Sequence, residues 1–319
     1  MKNSQIITVG LCPCWDITCR ADELHWGDHK KISSQTQVPA GKALNICKAL
    51  AWLNTESTAA GLWGRDDYPA MLKAIEPLKE YIKIKFTQTP SQTRRNITIV
   101  DTTNKKEMHL RAESKLASAN SMEQLSFDLK KNVAADSVCV FAGSMPGESF
   151  MDKTLSIIET AKDTGCKIVI DTSGQPLKSI VATGGIYMIK PNVEELSELL
   201  DKEIADEPDA IITAAKALLD NVEIIIVSRG SRGTVAITKD QTCQACYLGE
   251  KIEVNNTVAC GDFLLAGVLS ILSKKDLTTA LKVGIKVATA RAAGWTEKKS
   301  WHEIENQIEV EINCHPRQF

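Results

Sequence analysis

Five short, almost wholly apolar runs, at residues 6–9, 137–142, 167–171, 187–190 and 223–228, alternate along this chain with stretches of helical periodicity. A strand without a polar face must be covered on both sides, and the amphipathic segments 43–53, 149–164 and 193–200 are long enough to do so. Alternation of this kind predicts an α/β fold, with a mostly parallel sheet as the middle of three layers. With 319 residues, 43% of them hydrophobic, the chain can bury one large core.

Two stretches depart from that rhythm. Residues 16–38 and 94–111 alternate polar and apolar side chains, the second with a turn near Thr103 and Asn104, as paired strands with one wet face do. They are expected to form a small antiparallel lid, split in the sequence because helix-forming segments 43–53 and 68–80 lie between its halves. No repeat, low-complexity tract or linker divides the rest. The expectation is therefore a single domain over residues 1–319, with a discontinuous β lid from about 12–38 and 91–112 inserted in the α/β core. Residues 263–295 read as two helices broken around 274–276.

Charge narrows the function. Lysine and arginine number 38 against 40 acidic residues, so no bulk excess draws the chain to nucleic acid or to an anionic membrane. Any anion site must be local. No apolar run spans a bilayer and residues 1–10 lack a signal peptide's basic and long apolar regions, so the expected compartment is the cytoplasm. The ten cysteines are scattered through predicted strands and helices of a large chain, and reduced thiols are expected. Cys243 and Cys246 form one C-x-x-C with no second pair at zinc-finger spacing, so no metal site is assigned to cysteine. The Walker loop, a G-x-G-x-x-G after the first strand and H-E-x-x-H are all missing.

The strongest chemical signal is Asn256-Thr257-Val258-Ala259-Cys260-Gly261-Asp262, which opens directly into the apolar helical run 263–272. A helix start offers unpaired N–H groups and the positive end of its dipole to phosphate oxygens, and an aspartate in the same turn can accept a proton. Phosphoryl transfer uses both features. Any first helical turn also favours an acidic residue, and on this segment alone the two readings stand even.

Four other segments carry weaker signals. Lys190-Pro191-Asn192-Val193-Glu194-Glu195 joins a buried strand to a helix, at the edge where ligands gather in α/β sheets. Asn192 and Glu195 suit a hydrated magnesium ion, yet their spacing is that of a capping box, which these residues favour by themselves. Residues 38–45, with Gly41, Lys42 and Asn45, make another small-residue entry to a helix and read equally as an ordinary junction. Ser228, Gly230 and Gly233 join two strands, either beside nucleotide phosphates or as a plain hairpin. Arg94, Arg95 and Asn96 open the second lid element, where a guanidinium can grip a phosphate or simply be solvated.

Taken in chain order, these segments resemble the PfkB (ribokinase-like) carbohydrate kinase family from about residue 6 to 295. Residues 256–262 are similar to its closing signature [ST]-T-V-G-A-G-D, which implies Asp262 as catalytic base and the backbone of Ala259, Cys260 and Gly261 as an anion hole. K-P-N-x-x-E is matched in full at 190–195 and implies phosphate and Mg²⁺ roles for Lys190, Asn192 and Glu195, displacing the capping reading. Residues 227–233 resemble V-S-x-G-x-x-G, implying nucleotide contacts at Ser228, Gly230 and Gly233, with adenine near Gly284 and Ala288. G-S-M-P at Gly143, D-T-S-G at Asp171 and T-R-x-N at Thr93 are most similar to the 1-phosphofructokinase and tagatose-6-phosphate kinase branch. That likeness implies a three-layer α/β/α core with a small β lid, ATP and Mg²⁺, and a sugar phosphate held by Asp16, Gly41, Lys42, Asn45, Arg94 and Asn96.

The chain also departs from the family's pattern. Cys12-Pro13-Cys14-Trp15-Asp16 stands where the branch has N-P-A-[LIV]-D, and the bulk of Trp15 is expected to change the shape of the substrate site. Ala40, Ala43 and Ala259 replace glycines and Cys260 replaces an alanine; alanine is costly wherever φ is positive. Two alternatives follow: a kinase of a neutral sugar or nucleoside, and a PfkB-like binding or regulatory protein that no longer transfers phosphate. Exposed lid strands invite a homodimer, since unpaired edges pair between chains.

Overall fold

The computed structural model describes residues 5–250, 252–255, 257–272 and 275–316. In chain order its strands are β1 (Ile6–Gly10), β2 (Cys14–Ala21), β3 (Ser34–Ala40), β4 (Ser57–Gly64), β5 (Ile82–Thr89), β6 (Arg94–Asp101), β7 (Lys106–Leu110), β8 (Val138–Ala142), β9 (Lys167–Asp171), β10 (Ile186–Ile189), β11 (Val222–Ser228), β12 (Thr234–Ile237), β13 (Gln241–Tyr247) and β14 (Val310–Pro316). The helices are α1 (Lys42–Trp52), α2 (Tyr68–Ile75), α3 (Ala119–Asn132), α4 (Met151–Asp163), α5 (Gly174–Ala182), α6 (Val193–Leu199), α7 (Pro208–Ala215), α8 (Cys260–Leu272), α9 (Leu277–Ala292) and α10 (Trp301–Ile304). The five apolar runs of the sequence became β1, β8, β9, β10 and β11. The helix pair expected over 263–295 is α8 and α9; Lys274, at the break between them, lies outside the described residues, as does Asn256.

The main sheet runs parallel in the order β5-β4-β1-β8-β9-β10-β11 and continues antiparallel through β12, β13 and β14. Strand alternation sends Cys139 and Phe141 of β8 into one buried cluster and Val138, Val140 and Ala142 into another. Residues of α3 to α7 close the first cluster, and residues of α1, α8 and α9 close the second. The result is the three-layer α/β/α core, and its two apolar layers are what make continuously apolar strands stable. Among the described residues no helix is long and apolar enough to cross a membrane.

A second sheet, in the order β3-β2-β6-β7, carries the lid expected from the alternating segments. Both outer pairs are antiparallel, but the central pair, β2 with β6, is parallel, in register from Cys14 beside Arg94 to Ala21 beside Asp101. The reason lies at the root. Trp15 Nε1 donates to Oδ2 of Asp67 at 2.9 Å and Thr93 Oγ1 donates to Oδ1 of the same carboxylate at 3.0 Å, so both segments start outward from one point. The Trp15 indole meets Trp63 edge-on at 5.7 Å, within a buried cluster that includes Met71 and Phe86. Trp15 thus points into the core beneath the lid. The expectation that it reshapes the substrate site is corrected: alternation along β2 turns Cys14 and Asp16, and not the indole, toward the cleft.

The far edge of the main sheet corrects a second expectation. Antiparallel pairing of β13 with β14 sets Cys243 opposite Cys314, and a disulfide joins them with Cα atoms 4.1 Å apart. These two cysteines are therefore not reduced thiols. They are 71 positions apart, and Cys246, the other half of the C-x-x-C, remains a free thiol.

Candidate active site

A cavity of about 410 Å³ opens at the carboxyl ends of the parallel strands, beneath the lid. Sheet order reverses at β1, which has β4 on one side and β8 on the other, and such a reversal leaves a crevice between the loops that leave the strands. Asp16, Gly41, Lys42, Asn45, Arg94 and Asn96 line it from one side. Lys190, Asn192, Glu195, Ser228 and the turn Ala259, Cys260, Gly261 and Asp262 line it from the other.

Four expected residues are not in its lining: Gly230, Gly233, Gly284 and Ala288. Gly284 is buried where α9 crosses α8, and a Cβ there would sit 2.8 Å from Val268 Cγ2 and 3.0 Å from the carbonyl oxygen of Leu264. It packs α9 against α8, and Ala288 packs against the same core layer. Gly230 and Gly233 lie in the connection of the antiparallel pair β11 and β12, the plain hairpin geometry.

The turn into α8 is shaped by Ala259, whose φ of 67° is left-handed. An alanine pays about 1–2 kcal/mol there, so the cost anticipated from the replaced glycines falls on this position. Ala40 and Ala43 escape it, because the positive φ of the first helix entry, 113°, belongs to Gly41. Asp262 follows in the first turn of α8, only 5% exposed, with Asn45 Nδ2 donating to its Oδ2 at 2.9 Å. Burial, reinforced by the charge of nearby Asp171, pushes its carboxyl up to about 7, although Asn45, Lys42 and Lys190 each favour the charged form. A carboxylate of that affinity suits a general base near neutral pH.

Two lysines converge beside it. Lys42, at the start of α1, places Nζ 2.9 Å from Asp171 Oδ1, and Lys190, just after β10, places its own Nζ 3.5 Å from the same oxygen. Asp171 ends β9 with no exposed side-chain surface; burial works to raise its carboxyl, but the two lysines outweigh that and hold it below the usual range. The Lys190 ammonium also lies over the backbone of the turn into α8, since a Cβ on Gly261 would come within 3.1 Å of it. Asp171 entered the sequence reading only through the D-T-S-G motif; its part in holding two lysines depends on the ends of β9 and β10 being neighbours.

Asn192 and Glu195 do form a capping box at the start of α6. Asn192 Oδ1 accepts from the Glu195 amide at 2.7 Å, and Glu195 Oε2 accepts from the Asn192 amide at 2.9 Å. The cap and the cavity are not exclusive: both residues also line the cleft, and the second oxygen of Glu195 has no partner among the described residues.

At the lid end, Asp16 Oδ1 accepts from Asn96 Nδ2 and from the Cys14 thiol, each at 3.2 Å. Burial, then the charge of Asp16, pushes that thiol far up, so it serves as a hydrogen-bond donor and not as a nucleophile. Arg94 reaches the cleft, but its three nitrogens donate to the carbonyl oxygens of Cys12 at 2.8 Å, Ala112 at 2.9 Å and Pro13 at 3.4 Å. Arg111, one residue past β7, lines the cavity as well; sequence reasoning passed over it, since only its place at the end of the second lid segment marks it.

The family model for pfkB family carbohydrate kinases matches residues 3–293. Among solved structures, phosphofructokinase-2 from Escherichia coli in complex with fructose-6-phosphate superposes with a TM-score of 0.84 at 19% identity, over 95% of this chain and 99% of that one. The tetrameric inhibited form of the same enzyme gives a TM-score of 0.85 at 20% identity, again over 95% and 99%. A Thermotoga maritima protein described as a possible 1-phosphofructokinase gives 0.79 at 19% identity, over 97% of this chain and 99% of the other. At such identities the three likenesses speak to the fold.

Proposed function

This chain belongs to the pfkB family of carbohydrate kinases, and from that we propose that it moves the terminal phosphoryl group of ATP onto a hydroxyl of a sugar phosphate, as 1-phosphofructokinase and tagatose-6-phosphate kinase do. One observation carries the reading: a buried carboxylate, Asp262, stands in the first turn of α8 at the junction of the lysine pair and the lid residues.

In this reading Asp262 Oδ accepts the proton of the acceptor hydroxyl as the alkoxide oxygen bonds to the γ-phosphorus. The bond from that phosphorus to the β–γ bridging oxygen breaks, and ADP leaves with the electron pair. Charge gathering on the transferring oxygens meets the amides of Ala259, Cys260 and Gly261, the dipole of α8, and the ammonium groups of Lys190 and Lys42. Asp16, Asn45 and Asn96 hold the sugar so that the attacking oxygen faces this turn. Ser228 borders the nucleotide phosphates.

A hydrated Mg²⁺ fits the donor set of Asn192 and Glu195 better than a bare one, because each residue spends one oxygen on the cap and Glu195 keeps another. Held there through water, it supplies charge neutralisation on the β- and γ-phosphates. The four-stranded sheet acts as the lid of a single domain, closing over the sugar to exclude water. Its outer face carries Ile17, Ile97, Ile99, Met108 and Leu110, an apolar surface suited to the same face of a second copy.

An ADP-release screen tests the reading. Fructose 1-phosphate, fructose 6-phosphate and tagatose 6-phosphate are compared with ribose, fructose and nucleosides; turnover confined to unphosphorylated acceptors would reject a sugar phosphate as substrate.

A further inference from the structure

Resting on the phosphoryl-transfer reading, we propose that Arg291, which stands outside the cavity lining, is a positioning residue that aims the Ala259 amide at the transferring phosphate. Arg291 lies in the last turn of α9, behind the turn into α8, whereas Val258, Ala259, Cys260 and Gly261 all border the cavity. Its Nε donates to the carbonyl oxygen of Val258 at 3.2 Å across 33 positions of sequence. A trans peptide is planar, and its C=O and N–H point opposite ways. Tying the Val258 carbonyl back to α9 therefore sends the Ala259 N–H away from Arg291 and toward the cleft that Ala259 lines.

The guanidinium is itself held in place. Nη1 donates to Glu297 Oε1 at 2.9 Å, and the central carbon lies 5.3 Å from the ring of Phe263, the residue after Asp262. A helix dipole favours a cation in any last turn, but it calls for no contact with residue 258. The need for that contact lies in the next residue. Ala259 has a left-handed φ of 67°, and such a conformation persists in an alanine only where its surroundings over-determine it. On one side the Ala259 carbonyl accepts from the Phe263 amide at 2.9 Å, the first bond of α8. Upstream, Asn255 donates its amide to the Ala292 carbonyl at 2.8 Å and its Nδ2 to the Ala293 carbonyl at 3.0 Å. The end of α9 thus grips the approach to the turn at two points, and Arg291 acts on the peptide of the strained residue itself. Its charge reaches the turn as well: burial pushes the Cys260 thiol up, and the guanidinium works against that rise.

The test uses the full chain with Arg291→Ala, Arg291→Lys and Ala259→Gly, and the Arg291→Ala change repeated in the Ala259→Gly background. Each protein is melted thermally and assayed well below its melting temperature with the best acceptor of the ADP-release screen. Arg291→Ala should lower kcat about 10- to 100-fold, up to what the loss of one oxyanion donor costs, with the acceptor KM within about twofold of the parent. Arg291→Lys keeps a donor for the Val258 carbonyl and should restore most of the loss. Glycine holds a left-handed angle unaided, so in the Ala259→Gly background the same Arg291→Ala change should cost several-fold less. Equal losses in the two backgrounds would mean that Arg291 does not act through Ala259, and would overturn the inference. A lower melting temperature with kcat intact, or a loss confined to the acceptor KM, would overturn it too while phosphoryl transfer stands. A parent enzyme that releases no ADP with any acceptor removes the reading on which the inference rests, and the inference with it.

Discussion

Asn45 Nδ2 and Asp262 Oδ2 lie 2.9 Å apart across 217 positions of sequence, a donor from α1 meeting the carboxylate of α8. The bond favours the ionised acid, while burial, the larger influence, favours the neutral one. In the proposed mechanism Asp262 acts as the base and must be ionised, so kcat/KM should rise tenfold per pH unit up to about pH 7 and level off above it. Asn45→Leu removes a donor to the charged form, and its acid limb should move to higher pH. A profile from pH 5 to 9 that is flat in the parent, or displaced to lower pH in the variant, would contradict this.

Asp262→Asn should lower kcat by about 10²- to 10⁴-fold with acceptor binding largely retained. Its stability moves the other way. The folded-state value of Asp262 is raised from 3.8 to about 7, so the wild-type carboxyl contributes stability that is fully present below pH 3.8 and lost as pH rises through 7. Thermal melts of the two proteins should coincide at pH 3.8 and below, then separate between pH 4 and 7 in favour of the variant.

Ala259→Gly should relieve the left-handed φ of 67°. The gain is about 0.5–1 kcal/mol, the alanine penalty less the extra chain entropy of glycine. A melting temperature raised by a degree or two, with kcat unchanged or higher, is the expected result. A lower melting temperature would mean that the turn does not depend on this backbone angle.

The Cys243–Cys314 disulfide ties β14, beyond the residues matched by the family model, to the main sheet. Reduction, or Cys314→Ser, should lower stability by about 2–4 kcal/mol and expose β14 to proteolysis before the rest of the chain. Alkylation before and after reduction checks the bond itself: two further cysteines should react only after reduction.

Met108→Lys with Leu110→Lys should weaken a lid-mediated homodimer, because both side chains stand on its outer face at 42% and 47% exposure. Light scattering reads the mass. A parent protein that is monomeric at micromolar concentration would refute the homodimer outright.

How much of this was legible beforehand follows from side-chain chemistry. The runs of β1, β8, β9, β10 and β11 stand out because a strand buried on both faces must be apolar throughout. β4 is just as buried but reads Ser57-Thr58-Ala59-Ala60-Gly61-Leu62-Trp63-Gly64, where close approach to β1 requires small residues, and no apolar run announces it. The residues of the turn into α8 were readable because helix entry, small side chains and an acid fall in one window. Arg111, also in the cavity lining, was not, since an exposed arginine has no local pattern. Gly284 lies where α9 crosses α8, and in sequence a small residue on a helix looks the same whether it admits a ligand or another helix. The partnership of Cys243 with Cys314 depends on strand register over 71 positions, which no spacing rule contains.

Asp67 takes Trp15 on one carboxylate oxygen and Thr93 on the other, at the two places where the chain departs for β2 and β6. One carboxylate therefore joins the roots of both lid segments, beside the Arg94 bonds that tie Cys12 and Pro13 to Ala112. Any movement of the lid has to carry Asp16 and Asn96 together, so this pair keeps its mutual spacing whether the cleft gapes or shuts. In the proposed reaction only its separation from Asp262 is left to vary, which makes the lid a cantilever whose tip sets how near the alcohol comes to its base.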